Sequence, residues 1–117
     1  MMDSMNYRES LIWAAGVIEG CGVVAVTIEQ GPTRMYHAIG LLAVTGNPDV
    51  NDRLIDAVGN GNVIMAPTGD PCFEIGGYAA VRGFLADIWK FLTPRKRAEI
   101  NAELRRYKLL KSGQIGS

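Results

Sequence analysis

Apolar positions recur along this chain in two rhythms. Tyr7, Leu11, Ile12, Ala15 and Ile18 fall three and four apart, the spacing of one helix face, and Ser4 stands where an N-cap belongs. Gly20-Cys21-Gly22 stops that helix. The run from Val23 through Ile28 is β-branched and predicts a strand. Gln30-Gly31-Pro32-Thr33 is turn chemistry, and Met35 to Val44 is apolar again, so the two runs predict a hairpin. Asn47 or Asp49 is placed to cap a helix over Val50–Val58, with Gly59 and Gly61 past its end. Asn62–Ala66 and Cys72–Ile75 predict a second hairpin around Pro67-Thr68-Gly69-Asp70-Pro71. Helical spacing returns from Tyr78 to about Phe91 and from Thr93 to about Lys108, with Pro94 in the first turn, where proline is tolerated.

The order is helix, two strands, helix, two strands, helix, helix. Its simplest closure is an α+β domain whose four-stranded antiparallel sheet lays one face on the helices and leaves the other open. We expect a single domain over 1–111 and a flexible tail over 112–117.

Composition narrows the class. The chain has 117 residues, 48% hydrophobic and 21% charged, which suits one compact core and excludes general disorder. No apolar run approaches the roughly 20 residues that span a bilayer, so no membrane partner is expected. The first residues carry no signal-peptide pattern, which predicts a cytoplasmic protein with Cys21 and Cys72 as free thiols. Twelve basic side chains balance twelve acidic ones, and zero net charge argues against a nucleic-acid partner. The balance is uneven. Between Lys90 and Lys111, eight basic residues, among them Arg105, Arg106 and Lys108, oppose only Glu99 and Glu103. A solvated helix face is the ordinary reading of that stretch, and a phosphate-facing patch is the other.

Residues 14–22 read Ala-Ala-Gly-Val-Ile-Glu-Gly-Cys-Gly. This resembles the nine-residue signature of the LAGLIDADG homing endonucleases: small and aliphatic residues, then an acid, Gly, an acid and Gly. Val44-Thr45 and the aromatic-leucine-basic stretch Trp89-Lys90-Phe91-Leu92-Thr93-Pro94-Arg95-Lys96-Arg97 are also similar to small viral and intron-borne members. The resemblance covers roughly residues 7–108. It implies an αββαββα fold and a homodimer through the first helix, with Ala15, Gly16, Glu19 and Gly20 at the interface. Gly16 and Gly20 lie four apart, so they share a helix face and let a partner backbone come close.

Two departures shape the expected function. The family acid that holds catalytic metal is replaced by Cys21, and a soft thiol suits Mg²⁺ poorly. Glu19 remains, at a position that serves helix and loop structure in the family. Family cleavage is therefore not expected, and neither a metal nor another cofactor is, with Mg²⁺ entering only under an endonuclease alternative.

The second departure concerns the sheet face that reads DNA in the family. The resemblance places Ala25, Thr27, Glu29, His37, Ile39, Leu41 and Glu74 on it, with Val24, Val26, Ile28, Ala38, Gly40, Leu42, Phe73 and Ile75 toward the helices. Such a face has no Lys or Arg and two glutamates, which is poorly built for base edges and phosphates. A small-molecule site fits better. Thr27, Glu29, His37 and Glu74 are candidates to orient a ligand, Arg34 and Tyr36 to supply a cation and a stacking ring, and Arg95, Lys96 and Arg97 to take phosphates. The expected function is thus a non-catalytic homodimeric binding protein for a small phosphorylated, nucleotide-derived ligand. A viral counter-defence protein that sequesters a nucleotide signal is its sharper form. The alternatives are a DNA-binding protein or double-strand-cleaving homing endonuclease, and a protein partner on the apolar face. Trp13 and Trp89 read as core packing.

Overall fold

A computed structural model describes residues 6–66 and 68–112. Nine elements follow in order: α1 (Tyr7–Cys21), β1 (Gly22–Gln30), β2 (Met35–Ala43), α2 (Pro48–Val58), β3 (Asn62–Met65), β4 (Pro71–Gly76), α3 (Tyr78–Ile88), a 3₁₀ turn (Trp89–Phe91) and α4 (Pro94–Lys111). The last helix thus breaks from α3 at a tight turn after Ile88, three residues before the expected end. Ser4 and the tail beyond Ser112 lie outside the described residues.

Local chemistry sets the boundaries. Asn6 caps α1 in a reciprocal box: its side chain accepts from the Glu9 N–H at 2.8 Å, and the Glu9 carboxylate accepts from the Asn6 N–H at 3.0 Å. Asn47 caps α2 by accepting from the Asp49 and Val50 N–H groups, and Gly59 ends it in the left-handed conformation at φ 74°. Thr93 caps α4 ahead of Pro94. At the junction of α1 and β1, helix becomes strand without an intervening loop. A Cβ on Gly22 would stand 2.8–2.9 Å from side-chain and backbone atoms of Ile18, so only glycine fits there.

The sheet order is β1-β2-β4-β3, antiparallel throughout. Val24, Ile39, Leu41, Ala43, Phe73 and Ile75 form the sheet's contribution to the core, beneath Ala14 and Ile18 of α1, Leu54 of α2, and Val81, Phe84 and Ile88 of α3. Leu92 and Ile100 close it under α4.

The face assignment of β2 is the reverse of the expectation. A four-residue turn pairs Gln30 with Met35, so Val24 lies opposite Leu41, Val26 opposite Ile39 and Ile28 opposite His37. Directly paired residues share a sheet face. His37, Ile39, Leu41 and Ala43 therefore point toward the helices, while Tyr36, Ala38, Gly40 and Leu42 face outward. The residues named on β1 and β4 keep the expected sides.

Candidate functional site

Two local arrangements carry the chemistry: the end of α1 and the open face of the sheet. Glu19, two residues before the end of α1, spends both carboxylate oxygens on Thr93. One accepts from the Thr93 N–H at 2.9 Å and the other from its hydroxyl at 2.7 Å. The backbone hydrogen bond, then the hydroxyl, hold the Glu19 carboxyl below the usual carboxylate range. Glu19 is thus a tie between α1 and the cap of α4.

Cys21 is the last residue of α1, and its exposed thiol donates to the Val17 carbonyl at 3.2 Å. Partial desolvation pushes this thiol up, opposed by the charge of nearby Lys96, so it is a neutral thiol at pH 7. Of the basic trio, only Lys96 approaches this junction: its Nζ donates to the Gly22 carbonyl at 2.7 Å and lies 3.5 Å from Glu99. Arg95 pairs with Glu99 at 3.3 Å and is 90% exposed. Arg97 turns the other way, its Nε donating to the Trp89 carbonyl at 3.0 Å and a terminal nitrogen to the Lys90 carbonyl at 3.3 Å. The three therefore do not converge.

The outer surface of α1 presents Ile12, Gly16 and Gly20 at successive turns, with Ile12 40% exposed. A Cβ on either glycine would meet nothing within 4 Å in this chain. Ala15, expected on that surface, is only 1% exposed and belongs to the chain's own core.

On the open face, Ala25, Ala38, Gly40, Leu42 and Ile64 floor a shallow depression of about 450 Å³, bordered by Thr27, Glu29, Tyr36 and Glu74. Small residues in its middle let a flat molecule lie close to the backbone. The Thr27 hydroxyl donates to Glu29 at 2.8 Å, and Tyr36 stands opposite Glu29 across the hairpin. Arg34, in the turn, is the sole Lys or Arg of the β1–β2 hairpin. His37 is absent from this face for the pairing reason given above.

A second concavity, about 700 Å³, opens between α3 and α4 and brings Arg82 together with Arg105 and Lys108. The basic excess after Lys90 was its only sequence signal. Arg82 joins from a different helix, which no local pattern reveals.

No family model matches this sequence, and no curated protein matches it. Solved structures do. The homing endonuclease I-CvuI in complex with its target aligns with a TM-score of 0.72 at 18% identity, over 92% of this chain and 71% of that one. The homing endonuclease I-TnaI aligns with a TM-score of 0.70 at 18% identity, over 96% of this chain and 77% of that one. The LAGLIDADG homing endonuclease I-LtrWI, bound to target DNA, aligns at 0.67 and 15% identity, over 91% of this chain and 39% of that one. The chain has the LAGLIDADG homing endonuclease fold.

On this LAGLIDADG scaffold, the end of α1 carries the soft thiol of Cys21 and a Glu19 carboxylate committed to Thr93, a donor pair poorly matched to a hard divalent cation. No described helix is long and apolar enough to cross a membrane.

Proposed function

We propose that this chain is a binding protein that uses the LAGLIDADG scaffold without cleaving phosphodiesters. It pairs with a second copy through α1 and holds a small, flat, nucleotide-derived ligand on the open sheet face. The observation that carries this reading is the chemistry of that face: a floor of alanine, glycine and leucine, a tyrosine ring, two carboxylates and no cation. Carboxylates accept hydrogen bonds from ring N–H groups and ribose hydroxyls. They repel phosphate, which sits instead at the hairpin tip, where Arg34 is placed to take it. The outward stripe of Ile12, Gly16 and Gly20 supports the pairing, because neither glycine has a packing reason within one protomer.

Native mass spectrometry of freshly purified protein tests both halves. The expected result is a dimer that releases a discrete phosphorylated small molecule on denaturation, and a Gly16→Leu variant that is monomeric. A wild-type monomer overturns the pairing. An empty dimer that shows no thermal shift with any nucleotide overturns the ligand.

Duplex DNA binding is the second reading, favoured by the fold it shares with I-CvuI and I-LtrWI, whose structures were solved with target DNA. It requires affinity that falls steeply with salt, since phosphate contacts release counterions. The two outward glutamates oppose it. Weak binding indifferent to salt would dismiss this reading, and failure of Cys21→Asp to cleave any duplex would show that more than one acid is missing.

A further inference from the structure

The basic excess of the C-terminal region is only partly neutralised by acidic partners. On α4, Arg95 and Lys96 pair with Glu99, and Arg106 pairs with Glu103 at 3.4 Å. Among the described residues, Arg82, Arg105 and Lys108 make no ion pair, and these three border the α3–α4 groove, whose lining contains no acid. Positive charges gathered without a counter-charge repel one another and raise the local concentration of anions.

The groove has a second character beside its charge. Its floor is apolar, with Leu85 and Leu104 beside the half-buried Trp89. At one end, Tyr78 stacks on Tyr107, with ring centres 5.4 Å apart and planes 18° from parallel. One guanidinium nitrogen of Arg82 donates to the Tyr78 hydroxyl at 3.0 Å, and Lys108 Nζ lies 5.9 Å from the same ring centre. Tyr78 therefore holds Arg82 and Lys108 at one mouth of the groove while leaving most of the Arg82 fork unused. The hydrogen bond from Arg82, then the nearby Lys108, lower the Tyr78 hydroxyl below the ordinary phenol range.

We propose that the α3–α4 groove is a binding site for an aromatic organic phosphate, a nucleoside monophosphate being the simplest example. The ring lies on the apolar floor beside Trp89, and the phosphate is taken by Arg82 and Lys108, with Arg105 screening from the rim. A volume of about 700 Å³ accommodates such a ligand and lies within the usual range for small-molecule pockets. This site stands on the helical side of the sheet, so it is independent of the reading given to the open face.

The test uses the full chain and three probes: adenosine monophosphate, adenosine and inorganic phosphate. Binding is followed by calorimetry and by backbone amide shifts. The monophosphate should bind with a Kd below about 1 mM, shifting amides of α3 and α4, while each half alone binds at least tenfold more weakly. Arg82→Gln and Lys108→Gln should each weaken it by about tenfold or more, because each removes a charged hydrogen bond, and Lys108→Arg should restore most of the affinity. Both glutamine substitutions are on exposed side chains, so folding is preserved and checked by the same spectra. Asp56→Asn, an exposed change on α2 outside both surfaces, should leave this binding unchanged. The proposal is overturned if the monophosphate does not bind, if adenosine binds equally well, or if the shifts fall on β1 and β2 instead.

Discussion

On the open sheet face, Glu29 and Glu74 stand over alanine and glycine; in the α3–α4 groove, Arg82, Arg105 and Lys108 stand over leucine and tryptophan. One sheet supports both. The difference shows how a chain with zero net charge can present two strongly charged surfaces, because the charge is separated in space rather than absent. Net charge argues fairly against nucleic acid as a partner for the sheet face, and says nothing about the groove. Secondary structure produces the separation. Along β1 every second residue is outward, so Ala25, Thr27 and Glu29 arrive as one row. On α4 residues three apart share a face, so Arg105 and Lys108 arrive together.

The largest expected effect comes from removing what the two surfaces share. Phe73 is fully buried between the sheet and the helices, and Gly61, at φ 112°, packs against its ring. Phe73→Ala should cost about 3–5 kcal/mol in chemical denaturation, and it should weaken both surfaces together. A variant that lost only one would mean that the two are not mechanically joined.

Reversing the charge of one surface should be next in size. Glu29→Lys combined with Glu74→Lys makes the open face basic without touching the core. Duplex DNA affinity at low salt should rise, and the slope of log affinity against log salt should steepen by roughly 1 per lysine that meets a phosphate. No change in slope would mean that this face cannot approach a duplex at all.

The smallest effect separates the tie at the end of α1 from both surfaces. The Glu19 carboxyl is lowered in the folded chain, so its contribution to stability is present above the unfolded carboxylate pKa and fades as pH falls through the folded value. Glu19→Gln should therefore flatten the loss of stability as pH falls below about 5, measured by thermal melts, while leaving ligand affinities at pH 7 in place. An unchanged acid limb would show that Thr93 gains nothing from the charge.

Much of the fold was legible because the punctuation is local. Asn47, Gly59, Thr93 and Pro94 mark their helices in the sequence itself, and Gly22 marks the place where helix meets strand. The face of β2 was not legible, because Ala38, Gly40 and Leu42 are as apolar as Ile39, Leu41 and Ala43, and only the length of the turn decides which set is buried. That single ambiguity misplaced His37. The first cap was missed for a simpler reason: Asn6 with Glu9 three residues on is a capping box, and it outweighs Ser4. At the candidate site, Thr27, Glu29 and Glu74 were within reach of strand alternation read together with the family resemblance, whereas Tyr36 was marked only by its place beside the hairpin turn. The dispersal of Arg95, Lys96 and Arg97 was not, since adjacent residues on a helix point in different directions and their partners come from distant segments.

Arg97 has a consequence for how the groove would bind. By donating to the carbonyls of Trp89 and Lys90, it fastens the turn between α3 and α4 and so fixes the angle at which the two helices diverge. The opening is then preorganised in the empty protein, and a ligand arriving there has little conformational entropy to remove.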